Sequence, residues 1–154
     1  MSSGASTILF LCSGNYYRSR FAEHLFNHLV ANTAIMHRAD SAGLWPNCRQ
    51  HNPGPIAHQT VTALRERGVS LPQSHRIPRD VVEADIRGAA LTIALKEAEH
   101  RPVVMQRFPH LIERIEFWHV HDVEDAPPSQ AIPLIESEVR ALIARLLDGD
   151  FEPR

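Results

Sequence analysis

Hydrophobic and polar positions alternate in blocks along the chain, and each block predicts an element. Thr7 to Leu11 is a short continuous apolar run, the pattern of a strand buried on both faces. It stops at Cys12-Ser13-Gly14-Asn15, which is turn chemistry. From Ser19 the period changes to three and four, with Phe21, Leu25, Leu29 and Ala22, Phe26, Val30 on one side of a helix. The chain therefore opens strand, tight loop, helix.

A second strand is expected over Ala34 to Ala39, closed by Ser41-Ala42-Gly43. Leu44 to Pro55 is a loop rich in Pro and Asn. A second helix is expected over roughly Pro55 to Arg67, and a short one over Val81 to Ile86. Ala89 to Leu95 reads as a third buried strand. Glu97 to Phe108 reads as a helix interrupted at Pro102, Ile115 to Val120 as a fourth strand, and about Pro133 to Leu147 as a last amphipathic helix. Strands alternating with helices imply an α/β fold: one domain over residues 1–154, with a four-stranded parallel sheet covered by helices on both faces.

Composition narrows the chemistry. The 154 residues suit one domain and one core. A formal net charge of −2 supplies no global field for nucleic acid or an anionic membrane, so any anion site must be local. No apolar run is long enough to span a membrane, and Met1 to Thr7 lacks the basic and apolar regions of a signal peptide. Cys12 and Cys48 are too few for a disulfide framework. A cytoplasmic, monomeric protein without nucleic-acid or membrane partners is the expectation.

The segment Cys12-Ser13-Gly14-Asn15-Tyr16-Tyr17-Arg18-Ser19 carries the chemistry. A loop between a first strand and a helix lies at the carboxyl edge of the sheet, where ligands bind in open α/β folds. The helix N-terminus favours an anion. Gly14 lets the backbone curl so that successive amides point inward as a nest. Arg18, six positions after Cys12, can fold back and hold two oxygens of a tetrahedral oxyanion. Cys12 at the bottom of such a cup is favoured as a thiolate, helped by a hydrogen bond from Ser19, and is aimed for in-line attack on bound phosphate. A thiol and an arginine at this spacing also occur by chance, and buried cysteines at strand ends are often plain small hydrophobes.

Ile8 to Asn15, Arg18-Ser19 and Ala22-Glu23 together resemble the opening of low-molecular-weight protein tyrosine phosphatases. Ser41-Ala42-Gly43, Ser74-His75, and Trp118 followed four positions later by Asp122 extend the resemblance along the chain. The resemblance implies that Cys12 is the nucleophile, that Ser13 to Arg18 bind phosphate, and that Ser19 steadies the thiolate. It implies that Asn15, Ser41 and His75 form a polar network holding the loop, and that Asp122 is the general acid. The substrate it implies is a phosphotyrosine protein or small aryl phosphate, with inorganic phosphate as product and no cofactor.

Three positions depart from the family pattern. Val123 follows Asp122 where the family has Pro, and Asp125 competes for the acid's role. The tyrosines that line the family's groove after the acid are missing. Tyr17 stands where many relatives carry a second cysteine. One of Tyr16 and Tyr17 is expected at the mouth and the other inward, with Trp45 a candidate groove wall. Cys48, in the same loop as Trp45, is either an ordinary thiol or an oxidative partner of Cys12. His119, His121 and Asp122 invite a metal reading, but further ligands are not evident and no metal is expected. Two other functions remain open at this stage: an arsenate reductase on the same scaffold, and a non-catalytic phosphate-binding module. The substrate itself, whether phosphotyrosine, phosphoarginine or a small phosphoester, is also open.

Overall fold

The computed structural model describes residues 7–52, 54–71, 76–120 and 128–154, the side chains of Pro128 and Ser129 excepted. The expected Asp122, Asp125, His121, Ser74 and His75 lie outside the described residues.

The first strand, β1 (Thr7–Cys12), runs through the middle of the molecule. Ile8 and Phe10 enter one core cluster, whereas Leu9 and Leu11 enter a second on the opposite face. This alternation is what a strand buried on both faces requires, because successive side chains point to opposite sides. Helices α1 (Arg18–Val30), α2 (His58–Glu66) and α5 (Pro128–Leu147) cover the first face. Helices α3 (Glu83–Gly88) and α4 (Glu97–Arg107) contribute Ile86 and Val104 to the second. The remaining strands are β2 (Arg38–Gly43), β3 (Leu91–Ala94) and β4 (Ile115–Phe117). All pairings are parallel and the order is β2-β1-β3-β4, so the three-layer α/β arrangement is as expected. The order reverses beside β1, at the switch point where such folds leave a crevice at the strands' carboxyl ends.

The second strand is displaced from its expected position. It runs over 38–43, paired from Thr7↔Arg38 to Cys12↔Gly43, rather than over 34–39. Its centre holds Asp40 and Ser41, which break the apolar pattern. Tertiary partners satisfy both: Arg79 binds Asp40 at 2.9 Å, and Ser41 Oγ donates to Glu23 at 2.6 Å. By contrast Met36, within the span expected to form the strand, is exposed.

Two helices contain a proline that the sequence pattern treats as a break or a start. Pro102 lies within α4 and Pro133 within α5. Each sits in the second turn, so only one intrahelical acceptor loses its donor there. The strand β4 is shorter than expected, but Trp118 N and Val120 N still bond to Ala94 O and Leu95 O at 2.9 and 2.7 Å. Those bonds hold the chain beside β3 as far as Val120. Among the described residues no helix is long and apolar enough to cross a membrane.

Candidate active site

The loop between β1 and α1 surrounds a cavity of about 220 Å³ lined by Cys12, Ser13, Gly14, Tyr16, Tyr17 and Arg18, with Trp45, Asn52, Ala57 and Gln59 at its sides. Its carbonyls are claimed from outside. Leu44 N donates to Cys12 O at 2.8 Å and Trp45 N to Ser13 O at 3.0 Å. Asn52 Nδ2 donates to Gly14 O at 3.0 Å, and Ala57 N to Tyr16 O at 2.9 Å. Tyr17 O accepts from Thr60 Oγ1 at 3.0 Å and from Phe21 N at 3.1 Å. In a trans peptide the N–H opposes the C=O. Holding these carbonyls outward therefore turns the amides of Ser13, Gly14, Asn15, Tyr17 and Arg18 the other way, toward the cavity, as an anion nest.

The conformational burden of the turn falls on Asn15 rather than Gly14. Asn15 has φ 51°, in the left-handed region, whereas Gly14 does not. Gly14 is needed for space instead: a Cβ there would lie 3.1 Å from Asn52 Nδ2, the donor that holds the loop. Gly43 is equally constrained, since a Cβ would come within 2.9 Å of Ser13 O. Asn15 is tied down by its side chain. Its Nδ2 donates to Ser19 Oγ at 2.9 Å and to Ser41 Oγ at 2.8 Å. These contacts bring together three of the four expected loop-stabilising residues.

The charged partner of this network is Arg76, which sequence reasoning missed. Its Nη1 donates to Asn15 Oδ1 at 2.8 Å, and its Nη2 to Ser41 O and Ser41 Oγ at 2.8 and 2.9 Å. Glu23 accepts from Ser41 and lies 3.3 Å from Arg76; burial raises its carboxyl above the usual range, although both contacts oppose this. Arg20 was also missed. It is fully buried behind the loop, donates to Pro55 O at 2.8 Å, and burial lowers its pKa to about 10. The only sequence signal for either was a basic residue beside an expected site residue.

Cys12 Sγ lies 2.9 Å from Ser19 Oγ, within hydrogen-bonding distance. Arg18 is buried, with Nη1 donating to Val120 O at 3.3 Å and Nη2 to Glu99 Oε2 at 3.3 Å. Glu99 Oε2 also accepts from Ser13 Oγ. Glu99 is held well below the usual carboxylate range, first by its hydrogen bond with His100, then by Ser13 and Arg18, against burial.

Trp45, Tyr16 and Tyr17 all line the cavity, with Tyr17 packed into the core and Tyr16 only partly buried. Trp45 is half-exposed and packs edge-on to His51 at 5.6 Å. Cys48 is different in kind. Burial, with Asp80 beside it, pushes its thiol up to about 12. At neutral pH iodoacetamide is expected to label Cys12 and spare Cys48 until the protein unfolds, as peptide mass spectrometry would register. The same shift has a stability consequence. The unfolded chain loses the Cys48 proton near 9 and the native chain near 12, so stability falls as pH rises through that window. Labelling of Cys48 in the native protein at pH 7 would contradict both.

The family model for low molecular weight phosphotyrosine protein phosphatase matches residues 7–148. The chain belongs to that family. It is accordingly a phosphatase. Among solved structures it resembles YfkJ from Bacillus subtilis, with 25% identity, a TM-score of 0.79, and coverage of 93% of this chain and 95% of that one. The low molecular weight protein tyrosine phosphatase from T. tengcongensis matches at 24% identity and a TM-score of 0.71, covering 93% and 98%. YwlE arginine phosphatase from Geobacillus stearothermophilus matches at 20% identity and a TM-score of 0.67, covering 93% and 91%. Comparison with curated protein sequences finds no match.

Proposed function

We propose that this phosphatase hydrolyses phosphomonoesters, phosphotyrosine above all, through a phosphocysteine on Cys12. The observation that carries the reading is Cys12 Sγ bonded to Ser19 at the floor of a cup whose carbonyls at Cys12, Ser13, Gly14, Tyr16 and Tyr17 are held outward. The phosphoryl group rests on the inward amides of Ser13 to Arg18 and on the Arg18 guanidinium. The Cys12 thiolate attacks phosphorus in line, forming the S–P bond as the P–O ester bond breaks. The departing oxygen takes a proton from a carboxylic acid. That group, now a carboxylate, deprotonates the water that cleaves the S–P bond, releasing phosphate and restoring the thiolate.

Asp122 is the acid in this mechanism. In sequence it follows by two positions Val120, which is anchored to both Leu95 and Arg18. Asp125 stands three positions further along the sequence. Glu99 touches Arg18 but is held ionised, so it is unsuited to donate a proton.

The aromatic mouth of Tyr16 and Trp45 favours a flat leaving group, by stacking. Because one structural relative is named an arginine phosphatase, the test must separate the two substrates. Hydrolysis of para-nitrophenyl phosphate, then of phosphotyrosine and phosphoarginine peptides, should show turnover inhibited by vanadate and higher kcat/KM on phosphotyrosine. Faster hydrolysis of phosphoarginine would reassign the substrate, and no hydrolysis at all would refute the mechanism.

A further inference from the structure

The contacts at Arg18 assign work to two residues that no part of the reaction above requires. Glu99 and His100 are adjacent on α4, and both reach the phosphate loop. The order of donors in this cluster follows from one bond. Lys96 N donates to His100 Nδ1 at 3.0 Å, so Nδ1 carries a lone pair and the ring proton lies on Nε2. His100 Nε2 then donates toward Ser13 Oγ at 3.2 Å and Glu99 Oε2 at 3.4 Å. Ser13 Oγ–H donates in turn to Glu99 Oε2. The same oxygen receives Arg18 Nη2. Three donors thus converge on one carboxylate oxygen, beside a fully buried histidine.

A fixed anion at the rim of an anion-binding cup is a liability for binding phosphate, since like charges repel strongly in a partly desolvated site. It does have a geometric use. A guanidinium is a planar fork, and its plane must match the oxygens it holds. Val120 O engages Nη1 and Glu99 engages Nη2, which fixes the plane along two edges before any ligand enters. Such preorganisation favours the transition state, where the equatorial oxygens bear the spread charge, over loosely bound phosphate.

We infer that Glu99, buttressed by His100 and Ser13, is a positioning residue for Arg18 that gives up ground-state phosphate affinity in exchange for transition-state geometry. This rests on the phosphocysteine reading above. The effect on the two ligand states should therefore have opposite signs, which a simple structural prop would not produce.

The experiment uses the full chain with Glu99→Gln and Glu99→Asp. It measures kcat on para-nitrophenyl phosphate, the dissociation constant of inorganic phosphate by calorimetry, and the melting temperature. Glu99→Gln removes the charge but keeps the length. It should lower kcat about tenfold while phosphate binds about threefold or more tightly. Glu99→Asp keeps the charge but is too short to reach Arg18 and Ser13 together. It should also lower kcat, with phosphate affinity close to wild type. An unchanged kcat in both variants overturns the positioning role. So does a parallel loss of kcat and phosphate affinity that follows a lower melting temperature, which would mark Glu99 as a general support of the fold. A wild-type chain that hydrolyses no phosphoester overturns the phosphocysteine reading as well, so the two failures are distinguishable.

Discussion

Replacing Cys12 with serine is expected to reduce turnover of an aryl phosphate by roughly 10⁴–10⁶-fold, the scale seen when a nucleophile is removed from an otherwise intact site. The reason is the leaving proton rather than shape. A serine hydroxyl is nearly isosteric with the thiol, but at neutral pH it is not ionised, and among the described residues its hydrogen-bond partner is another hydroxyl, Ser19 Oγ, rather than a base. Binding should survive. The amides that face the cavity are held by bonds to Leu44, Trp45, Asn52, Ala57 and Thr60, none of which involves the sulfur. Inorganic phosphate should therefore bind Cys12→Ser within about threefold of wild type, since one polar atom replaces another there. Turnover persisting within tenfold of wild type would mean that Cys12 is not the nucleophile.

Asp122→Asn is the second large effect, a loss of about 10²–10⁴-fold in kcat. An amide fills the same space but has no proton to give to a departing phenoxide and cannot accept one from water. The loss should depend on the leaving group. It should be largest for an alkyl phosphate, whose alkoxide needs protonation most, and smallest for para-nitrophenyl phosphate, whose phenoxide leaves readily. Asp125→Asn should leave both substrates nearly unaffected. A large loss in Asp125→Asn with normal turnover in Asp122→Asn would transfer the acid's role down the loop. Equal losses across leaving groups would argue that Asp122 supports the fold rather than the proton transfer.

Much of the site was legible from the chain because its parts are local. A run of apolar residues, a turn and a change of period to three and four identify strand, loop and helix within residues 7–30, and Cys12, Arg18 and Ser19 are bound to that frame by short spacings. The four-stranded parallel α/β sheet follows from the same alternation repeated down the chain. Where local pattern misled, tertiary partners were responsible. The second strand carries Asp40 and Ser41 because Arg79, Arg76 and Glu23 satisfy them, and no hydrophobic period registers that compensation.

The rest was decided by contacts between distant segments. Arg76 reaches Asn15 across 61 positions, and Glu99 reaches Ser13 across 86. Spacing cannot predict such pairs, because their distance depends on the order in which strands lie side by side. Placing β3 next to β1 brings the start of α4, and with it Glu99 and His100, against the phosphate loop. The amino-acid order was sufficient to specify a thiol, a guanidinium and a turn between strand and helix. Only the folded sheet could determine which residues hold that turn's carbonyls outward and which carboxylate orients its arginine, since those bonds join segments far apart in the chain.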